Sequence, residues 1–381
     1  MQPDSLQKTG FSIVDREYGI YVEEYFEEVL CRERKRSERS GKPFALMMLE
    51  LKAPFQPVDP VHVNKKIAEV LSKTTRETDT SGWSRQGSVI GVILTDLGED
   101  NVEVALGNIE NKVRKSLQDH LISLPAESVK ISFLVFPERY DKLQSQSEAP
   151  FNLLLYPDLL QSDITNRTKG LLKRLMDIAG SLFGLVIFSP LFLTIPLAIK
   201  LTSKGPVFFK QERFGRYGKR FIFLKFRSMY LNNDDAIHRE YVKKLIVEMS
   251  ERHSDERGQK EQVVYKIQDD PRVTPLGKFL RKTSLDELPQ FINVLKGEMS
   301  LVGPRPPIPY ELENYSIWHR RRLLGNRPGI TGLWQVTGRS STTFDAMVRL
   351  DLRYMKNWSL WLDIKLLLQT PMAVLKGKGA Y

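Results

Sequence analysis

The sequence predicts a soluble α/β domain at the amino-terminal end, followed by a second domain that carries a membrane helix. Three observations lead there. Short apolar runs alternate with amphipathic helical segments between residues 22 and 137. A polar stretch, Gln144-Ser145-Gln146-Ser147-Glu148, closes that region and reads as loop or linker. Residues 178–199 then contain no charged side chain.

Length and composition allow this division. The chain has 381 residues, room for two domains of roughly 100–200 residues each. Its hydrophobic fraction of 41% is ordinary, but its formal net charge of +11 is not. A basic surplus suits an anionic partner such as nucleic acid, an anionic membrane surface or phosphorylated substrates. Zinc-finger spacing and an RNA-recognition signature are both missing, so no nucleic-acid partner is expected. The single cysteine, Cys31, excludes an intrachain disulfide framework. The first residues include Asp4, Asp15 and Glu17 without an apolar core, which does not read as a signal peptide.

Residues 1 to about 20 read as a flexible lead-in. Phe26, Val29, Leu30 and Glu33 then open a charged amphipathic helix that ends near Ser40-Gly41. Residues 44–49 read as a buried strand, and Val63, Ile67, Val70 and Leu71 have helical spacing. A strand at 89–94, a helix at 101–117 and a strand at 129–136 complete a small α/β sandwich.

Residues 22–137 resemble the diguanylate-cyclase-like fold named for its GGDEF signature. The resemblance rests on the charged helix, the strand ending Leu49-Glu50-Leu51, Thr78-Asp79, and Arg85-Gln86-Gly87 before an apolar strand. Arg85-Gln86-Gly87-Ser88-Val89-Ile90 stands where the signature would lie, and the first acidic metal position is at best Glu50, followed by Lys52. Two-metal chemistry needs carboxylates to hold the cations, so the resemblance implies an inactive domain. A generic regulatory or dimerising α/β domain is the alternative. The expected boundaries are 1–150 for this domain, 151–168 for a linker and 169–381 for the second domain.

The uncharged run exceeds the roughly 18 residues a membrane helix requires; a buried core helix is the other reading. Pro190 removes a helix hydrogen bond and should bend the segment near its middle. Ser189 can bond a backbone group that the bend frees. Lys169, Lys173 and Arg174 precede the run, and Lys200, Lys204 and Lys210 follow it. Positive residues favour the cytoplasmic side, so basic flanks at both ends suit a hairpin over about 173–201 that enters and returns. A proline-kinked spanning helix is the alternative.

Three clusters after the run carry chemistry. Lys225-Phe226-Arg227-Ser228-Met229 follows the basic stretch 213–220. The second is Leu280-Arg281-Lys282-Thr283-Ser284-Leu285-Asp286-Glu287-Leu288-Pro289-Gln290. The third comprises Gly303-Pro304-Arg305-Pro306 and the run from Arg327 to Arg339. Ser284-x-x-Glu287 matches a helix capping box, although Pro289 would then fall where an intrahelical donor is required. A helix starting nearer Asp286 removes that conflict and sets Asp286 at a positive helix end. An ionised aspartate there can act as a nucleophile, since carboxylates form aspartyl-phosphates. Attack on a diphosphate needs cations: magnesium, and arginines that fork onto phosphate oxygens. Glu287 can hold the metal, and Arg281 and Arg305 can supply the fork; as lone surface arginines they would be solvated or paired with acids.

With these motifs, residues 169–381 resemble the monotopic polyprenyl-phosphate phosphoglycosyl transferases, the bacterial sugar transferase family. The resemblance implies a mainly α-helical monotopic catalytic domain with a re-entrant helix broken at Ser189-Pro190. Asp286 and Glu287 match its catalytic dyad, Asp286 as nucleophile and Glu287 as magnesium ligand. Arg281 matches the arginine that precedes its dyad and Arg305 its phosphate-binding Pro-Arg-Pro arginine, with Arg281, Arg305, Lys225 and Arg339 as the expected substrate-binding residues. The implied reaction moves a sugar 1-phosphate from a UDP-sugar to polyprenyl (undecaprenyl) phosphate with release of UMP, starting exopolysaccharide, capsule or O-antigen type glycans. The implied partners are UDP-sugar, polyprenyl phosphate and membrane lipids, and a homodimer is compatible with the pattern. The implied place is the bacterial inner membrane, with the site on the cytoplasmic face. The stretch 331–339 and Asn357-Trp358-Ser359-Leu360-Trp361 resemble the hexose-phosphate branch, which implies UDP-galactose or UDP-glucose over UDP-N-acetylglucosamine. The last segment, with Tyr354, Trp358 and Trp361 among Arg353, Lys356 and Lys365, can lie on the interface or form a core helix. The polar insert 232–262 carries no legible chemistry.

Overall fold

The computed structural model describes residues 12–51, 60–98, 101–120, 128–137, 151–159, 161, 167–231, 239–240, 272–337 and 343–375. They form two compact units, the first including Asn152–Gln161 and the second running from 167 onward.

The first unit is a six-stranded sheet in the order β1-β2-β4-β5-β3-β6. Its strands are β1 (Val14–Asp15), β2 (Ile20–Tyr21), β3 (Phe44–Leu51), β4 (Thr80–Arg85), β5 (Val89–Leu94) and β6 (Val129–Phe136). The helices are α1 (Glu23–Ser40), α2 (Pro60–Thr74) and α3 (Val102–His120). All pairings are antiparallel except β2 with β4. Side chains alternate across a strand. Ala45, Met47, Leu49, Ile90, Val92 and Leu94 therefore share one core with Ile67 and Leu71 of α2 and Val113 and Leu117 of α3. On the other face Phe26 of α1 lies over the directly paired Gly82 and Gly91. A Cβ on Gly82 or Gly91 would come within 2.5 or 2.6 Å of the Phe26 ring.

Two expectations change here. Residues 12–21 are no loose lead-in, because Ile20 is buried and Asp15 accepts from Trp83 Nε1 at 3.1 Å. Within the span read as linker, residues 152–159 and Gln161 pack with α1. Arg34 is buried and forks onto Asp158 at 2.9 and 3.0 Å, donates to Leu155 O at 3.1 Å and stacks over Tyr156. Burial alone would lower the Arg34 pKa, but its hydrogen bond and charge pairing with Asp158 outweigh this and raise it.

The second unit is helix-rich, with two two-stranded sheets. It opens with α4 (Arg167–Ile187) and α5 (Ser189–Thr202), joined through Phe188 at a 60° bend. The break follows from Pro190. A proline ring clashes with the carbonyl four residues earlier, here Val186, and Ser189 Oγ donates to that freed carbonyl at 2.8 Å. Among the described residues no single helix is long and apolar enough to cross a membrane; only this bent pair together meets the length and composition. Then come the antiparallel hairpin β7 (Phe208–Phe214) and β8 (Arg220–Phe226), α6 (Pro275–Thr283), α7 (Gln290–Lys296) and β9 (Ser300–Val302). Short helices α8 (Pro309–Glu313) and α9 (Ile317–Arg320) lead to β10 (Gly329–Thr331), which pairs parallel to β9. Helices α10 (Leu333–Thr337), α11 (Phe344–Lys356) and α12 (Leu360–Leu375) complete the unit.

The amphipathicity of α4 is inside out. Lys173, Asp177, Gly180 and Gly184 recur at helical spacing and face the protein. Lys173 donates to Asp363 at 2.6 Å, and Asp177 accepts from Ser300 Oγ and Leu301 N. A Cβ on Gly180 would meet Leu301, and one on Gly184 would meet Phe291. Leu171, Leu172, Leu175, Leu182, Phe183 and Val186 are exposed instead.

The Gly91–Phe26 contact yields a test. Gly91→Val should overpack the face under α1 and cost about 2–3 kcal/mol. Adding Phe26→Ala should recover part of that loss. Thermal unfolding of the single and double variants checks it, because contacting residues give a non-additive cycle.

Candidate active site

The carboxylate pair lies between two helices. Thr274 caps α6, its Oγ accepting from Gly277 N at 2.9 Å, and Pro275 sits in the first turn, where its missing donor is not needed. Helix α6 stops at Ser284, which takes a left-handed φ of 57°. Leu285–Glu287 then form one 3-10 turn, and Pro289 precedes α7. Ser284 makes no side-chain cap, so the capping box does not form. The expected placement of Asp286 at a positive helix end is corrected too: it sits just past the carbonyl end of α6, in a turn of its own. A charged side chain supplies what a helix end does not.

That side chain is Lys225 of β8. Its Nζ donates to Glu287 Oε1 at 2.6 Å and lies 3.5 Å from Asp286 Oδ2. Asp286 is buried, whereas the Glu287 side chain is 36% exposed. One ammonium thus offsets two adjacent carboxylates, which limits their mutual repulsion. Asn293 of α7, fully buried, fixes the register. Its amide accepts from Leu224 N at 3.1 Å and donates to Ile222 O at 2.7 Å. It takes the place of a neighbouring strand along the edge of β8 opposite β7, which holds Lys225 beside the turn.

Arg305 rides on a loop clamped by its carbonyls. Gly329 N donates to Pro304 O at 2.9 Å, Arg322 Nη2 to Arg305 O at 2.8 Å, Arg213 Nη1 to Pro306 O at 2.7 Å and Phe214 N to Pro307 O at 3.1 Å. Prolines offer no N–H, so within 304–307 only Arg305 has a backbone donor, and Asp351 accepts it. Asp351 is buried with Arg322 Nη2 2.6 Å away. Burial pushes its carboxyl up to about 6 against the pull of Arg322 and Arg305. Three glycines of the third cluster, Gly303, Gly329 and Gly332, sit where two chain segments cross closely: a Cβ on any of them would meet backbone atoms at 2.4 Å or less. The β7–β8 hairpin therefore serves both parts: Arg213 on β7 holds the Arg305 loop, and Lys225 on β8 holds the dyad.

Of the expected site residues, Lys225, Asp286 and Glu287 come together. Arg281 lies in the last turn of α6, its carbonyl accepting from Ser284 N at 3.3 Å. Arg339 lies outside the described residues. Arg227 of the first cluster has a structural part, donating to Ser203 O and Lys204 O at the end of α5. Sequence reading missed Asn293, Arg322 and Asp351, and took Arg213 only as the start of a basic stretch; Asn293 alone carried a signal, a polar residue inside the apolar run Phe291-Ile292-Asn293-Val294-Leu295. Ser316, His319 and Asp345 are joined by hydrogen bonds of 2.9 and 3.0 Å, but they form a capping box at α9 with His319 anchored behind it. Among the described residues no group of three or more His, Cys, Asp or Glu could cage a metal. Two adjacent carboxylates still fit magnesium, which takes hard oxygen donors and completes its shell with water and substrate phosphates.

The Arg322–Asp351 pair is testable through pH. Arg322→Met leaves Asp351 buried beside no guanidinium of its own and should cost about 3–5 kcal/mol near neutrality. Because the folded carboxyl titrates above its usual value of 3.8, the folded chain binds more protons than the unfolded one between that value and about 6. Falling pH therefore favours folding through this group. The variant's deficit in urea midpoint should be smaller at about pH 5 than at pH 7.5.

Comparison with known proteins adds the family. The sequence model described as bacterial sugar transferase matches residues 168–377. The chain is 47% identical over 210 residues to the galactosyl transferase CpsE of Streptococcus agalactiae, covering 55% of this chain and 43% of that protein. It is 44% identical over 223 residues to the undecaprenyl-phosphate galactose phosphotransferase of Salmonella typhimurium, covering 58% of this chain and 44% of that one. The exopolysaccharide production protein ExoY of Rhizobium meliloti is 39% identical over 215 residues, covering 56% of this chain and 89% of its own. The chain thus spans less than half the length of the first two relatives. Among solved structures, a DGC protein from Thermotoga maritima aligns with a TM-score of 0.26 and 18% identity over 32% of this chain and 87% of its own, too low a likeness to bear on the first unit. With its match running through α4, the carboxylate turn and α12, the chain belongs to the bacterial sugar transferase family.

Proposed function

We propose that the second unit transfers a sugar 1-phosphate from a UDP-sugar to polyprenyl phosphate through a covalent aspartyl intermediate. The observation that carries this reading is the Lys225 ammonium set against Asp286 and Glu287, with Asp286 buried. An oxygen of Asp286 attacks the phosphorus bonded to the sugar. The bond from that phosphorus to the bridging oxygen breaks, and UMP leaves with the electron pair. A polyprenyl phosphate oxygen then attacks the same phosphorus, the acyl-phosphate bond breaks, and Asp286 is regenerated as the carboxylate. Lys225 and Arg305 counter the charge of incoming phosphates, Arg305 as a fork on a loop already fixed in place. Glu287, with Asp286 beside it, would hold magnesium, which when bound neutralises diphosphate charge.

Support for a membrane-surface site comes from α4 and α5. A helix with charged and glycine residues turned inward and leucines outward suits lipid better than water. Its 60° break and the basic residues beyond both ends favour entry and return from one side. The names of the relatives from Streptococcus agalactiae and Salmonella typhimurium, a galactosyl transferase and an undecaprenyl-phosphate galactose phosphotransferase, favour a hexose donor. A pocket shaped for a hydroxyl loses affinity when an acetamido group must fit unpaired.

In membrane fractions UMP release should be greatest with UDP-galactose or UDP-glucose and weak with UDP-N-acetylglucosamine. Asp286→Asn should lower turnover by more than about 1000-fold, the scale of removing a nucleophile, and Glu287→Gln should raise the magnesium requirement. Release of UDP, or a near-normal rate in Asp286→Asn, would overturn the covalent reading. For topology, single cysteines at position 160 and at the exposed Lys219, each in a Cys31→Ser background, should both label from the cytoplasmic side; labelling from opposite sides would replace the hairpin with a spanning helix.

A further inference from the structure

A cavity of about 670 Å³ opens between α10, α11 and α12. Leu333, Leu350 and Leu362 form apolar parts of its wall, and Arg353, Trp361 and Lys365 also line it. None of Lys225, Asp286, Glu287 or Arg305 lines it, so it is separate from the carboxylate turn. Its volume falls within the range of small-molecule pockets, which combine an apolar body with a few polar anchors.

Its charge is one-sided. Two cations line the cavity and no acid does. The nearest acid along α12, Asp363, is fully buried and already bound by Lys173, Tyr354 and Trp358. Other cations of this unit are consumed by the fold: Lys173 by Asp363, Arg174 by the carbonyls of Val294 and Leu295, Arg227 by those of Ser203 and Lys204. Arg353 and Lys365 are exposed.

The cavity also borders an apolar surface. Trp361, Ile364, Leu368 and Met372 are exposed at intervals of three and four residues along α12, with Trp361 73% exposed. Trp361 and Lys365 are one turn apart, so the rim of the cavity and the edge of this stripe coincide. An apolar stripe, a tryptophan and basic side chains at one rim are what a helix lying at headgroup depth presents.

We propose that this cavity binds the headgroup of an anionic bilayer phospholipid, its phosphate on Arg353 and Lys365 and the start of its acyl chains against the leucines. The inference rests on the membrane-surface reading above, but not on the covalent chemistry. Charge complementarity selects the occupant: a zwitterionic headgroup brings an ammonium to two cations, whereas a net anionic one does not.

The test uses the full chain in mild detergent with soluble dioctanoyl phosphatidylglycerol, followed by calorimetry. One lipid should bind, and dioctanoyl phosphatidylcholine should bind at least about tenfold more weakly. The double variant Arg353→Gln/Lys365→Gln should lose at least about tenfold in affinity, consistent with two phosphate contacts. Lys365→Arg should retain binding, which separates lost charge from lost fold. Asp286→Asn should bind the lipid like the wild type. Equal affinity for both lipids, an unaffected double variant, or displacement of the lipid by an equimolar polyprenyl phosphate would overturn the proposal. Failure of the wild type to float with phosphatidylcholine vesicles would overturn the membrane reading and this proposal together; flotation without lipid preference in the calorimeter would overturn this proposal alone.

Discussion

The second unit depends on one buried ion pair. Lys173 of α4 donates to Asp363 of α12 at 2.6 Å, and Asp363 is fully buried. A charge in such a place is tolerated only when its remaining valences are met. Here Tyr354 and Trp358 donate to the same carboxylate, and Val302 O accepts a second proton of the ammonium. Burial and the nearby carboxylate push the Tyr354 phenol well up, so it remains a donor. The network joins α4, β9, α11 and α12, segments far apart in sequence, and sets the end of the broken helix against the body of the domain.

Through that docking the rest acquires its order. Arg174, next to Lys173, caps the carbonyl end of α7. Helix α7 carries Asn293, which pins β8, which in turn delivers Lys225 to the carboxylate turn. The same hairpin reaches the Arg305 loop through Arg213. Buried polar groups, each with partners, thus form a relay from the broken helix to the residues that carry the proposed chemistry. An apolar core of the same volume would hold the elements together but would not specify their register.

The inverted face of α4 has a physical consequence for the proposed reaction. That reaction would bring a lipid-linked acceptor and a water-soluble donor to one turn. A bent helix pair that returned to its own side would keep the domain at that boundary without crossing it. The 60° break at Phe188 and the bond from Ser189 to the Val186 carbonyl would then be the local means, with the buried Lys173–Asp363 pair holding the first helix of the pair.

Much of this was legible in the residues alone. Periodicity placed the helices and strands of the first unit, except β1 and β2, two residues each, and β4, whose run Thr80-Ser81-Gly82-Trp83-Ser84-Arg85 holds a single large apolar side chain. Pro190 announced the break, because a proline's clash with the carbonyl four residues back is local and independent of the fold. The motifs singled out Asp286, Glu287 and Arg305 as candidates. Their surroundings were not legible. The meeting of Lys225 with Asp286 and Glu287 joins residues about sixty positions apart, and the clamp of Arg322 and Asp351 on the Arg305 loop depends on two chain segments crossing. The capping-box spacing at Ser284 pointed to a helix start that the left-handed turn cancels. The span read as linker holds residues that Arg34 draws onto α1. Local sterics and spacing belong to the sequence; which buried charge meets which partner is decided only when burial removes water and leaves each polar group to find its neighbour in the folded chain.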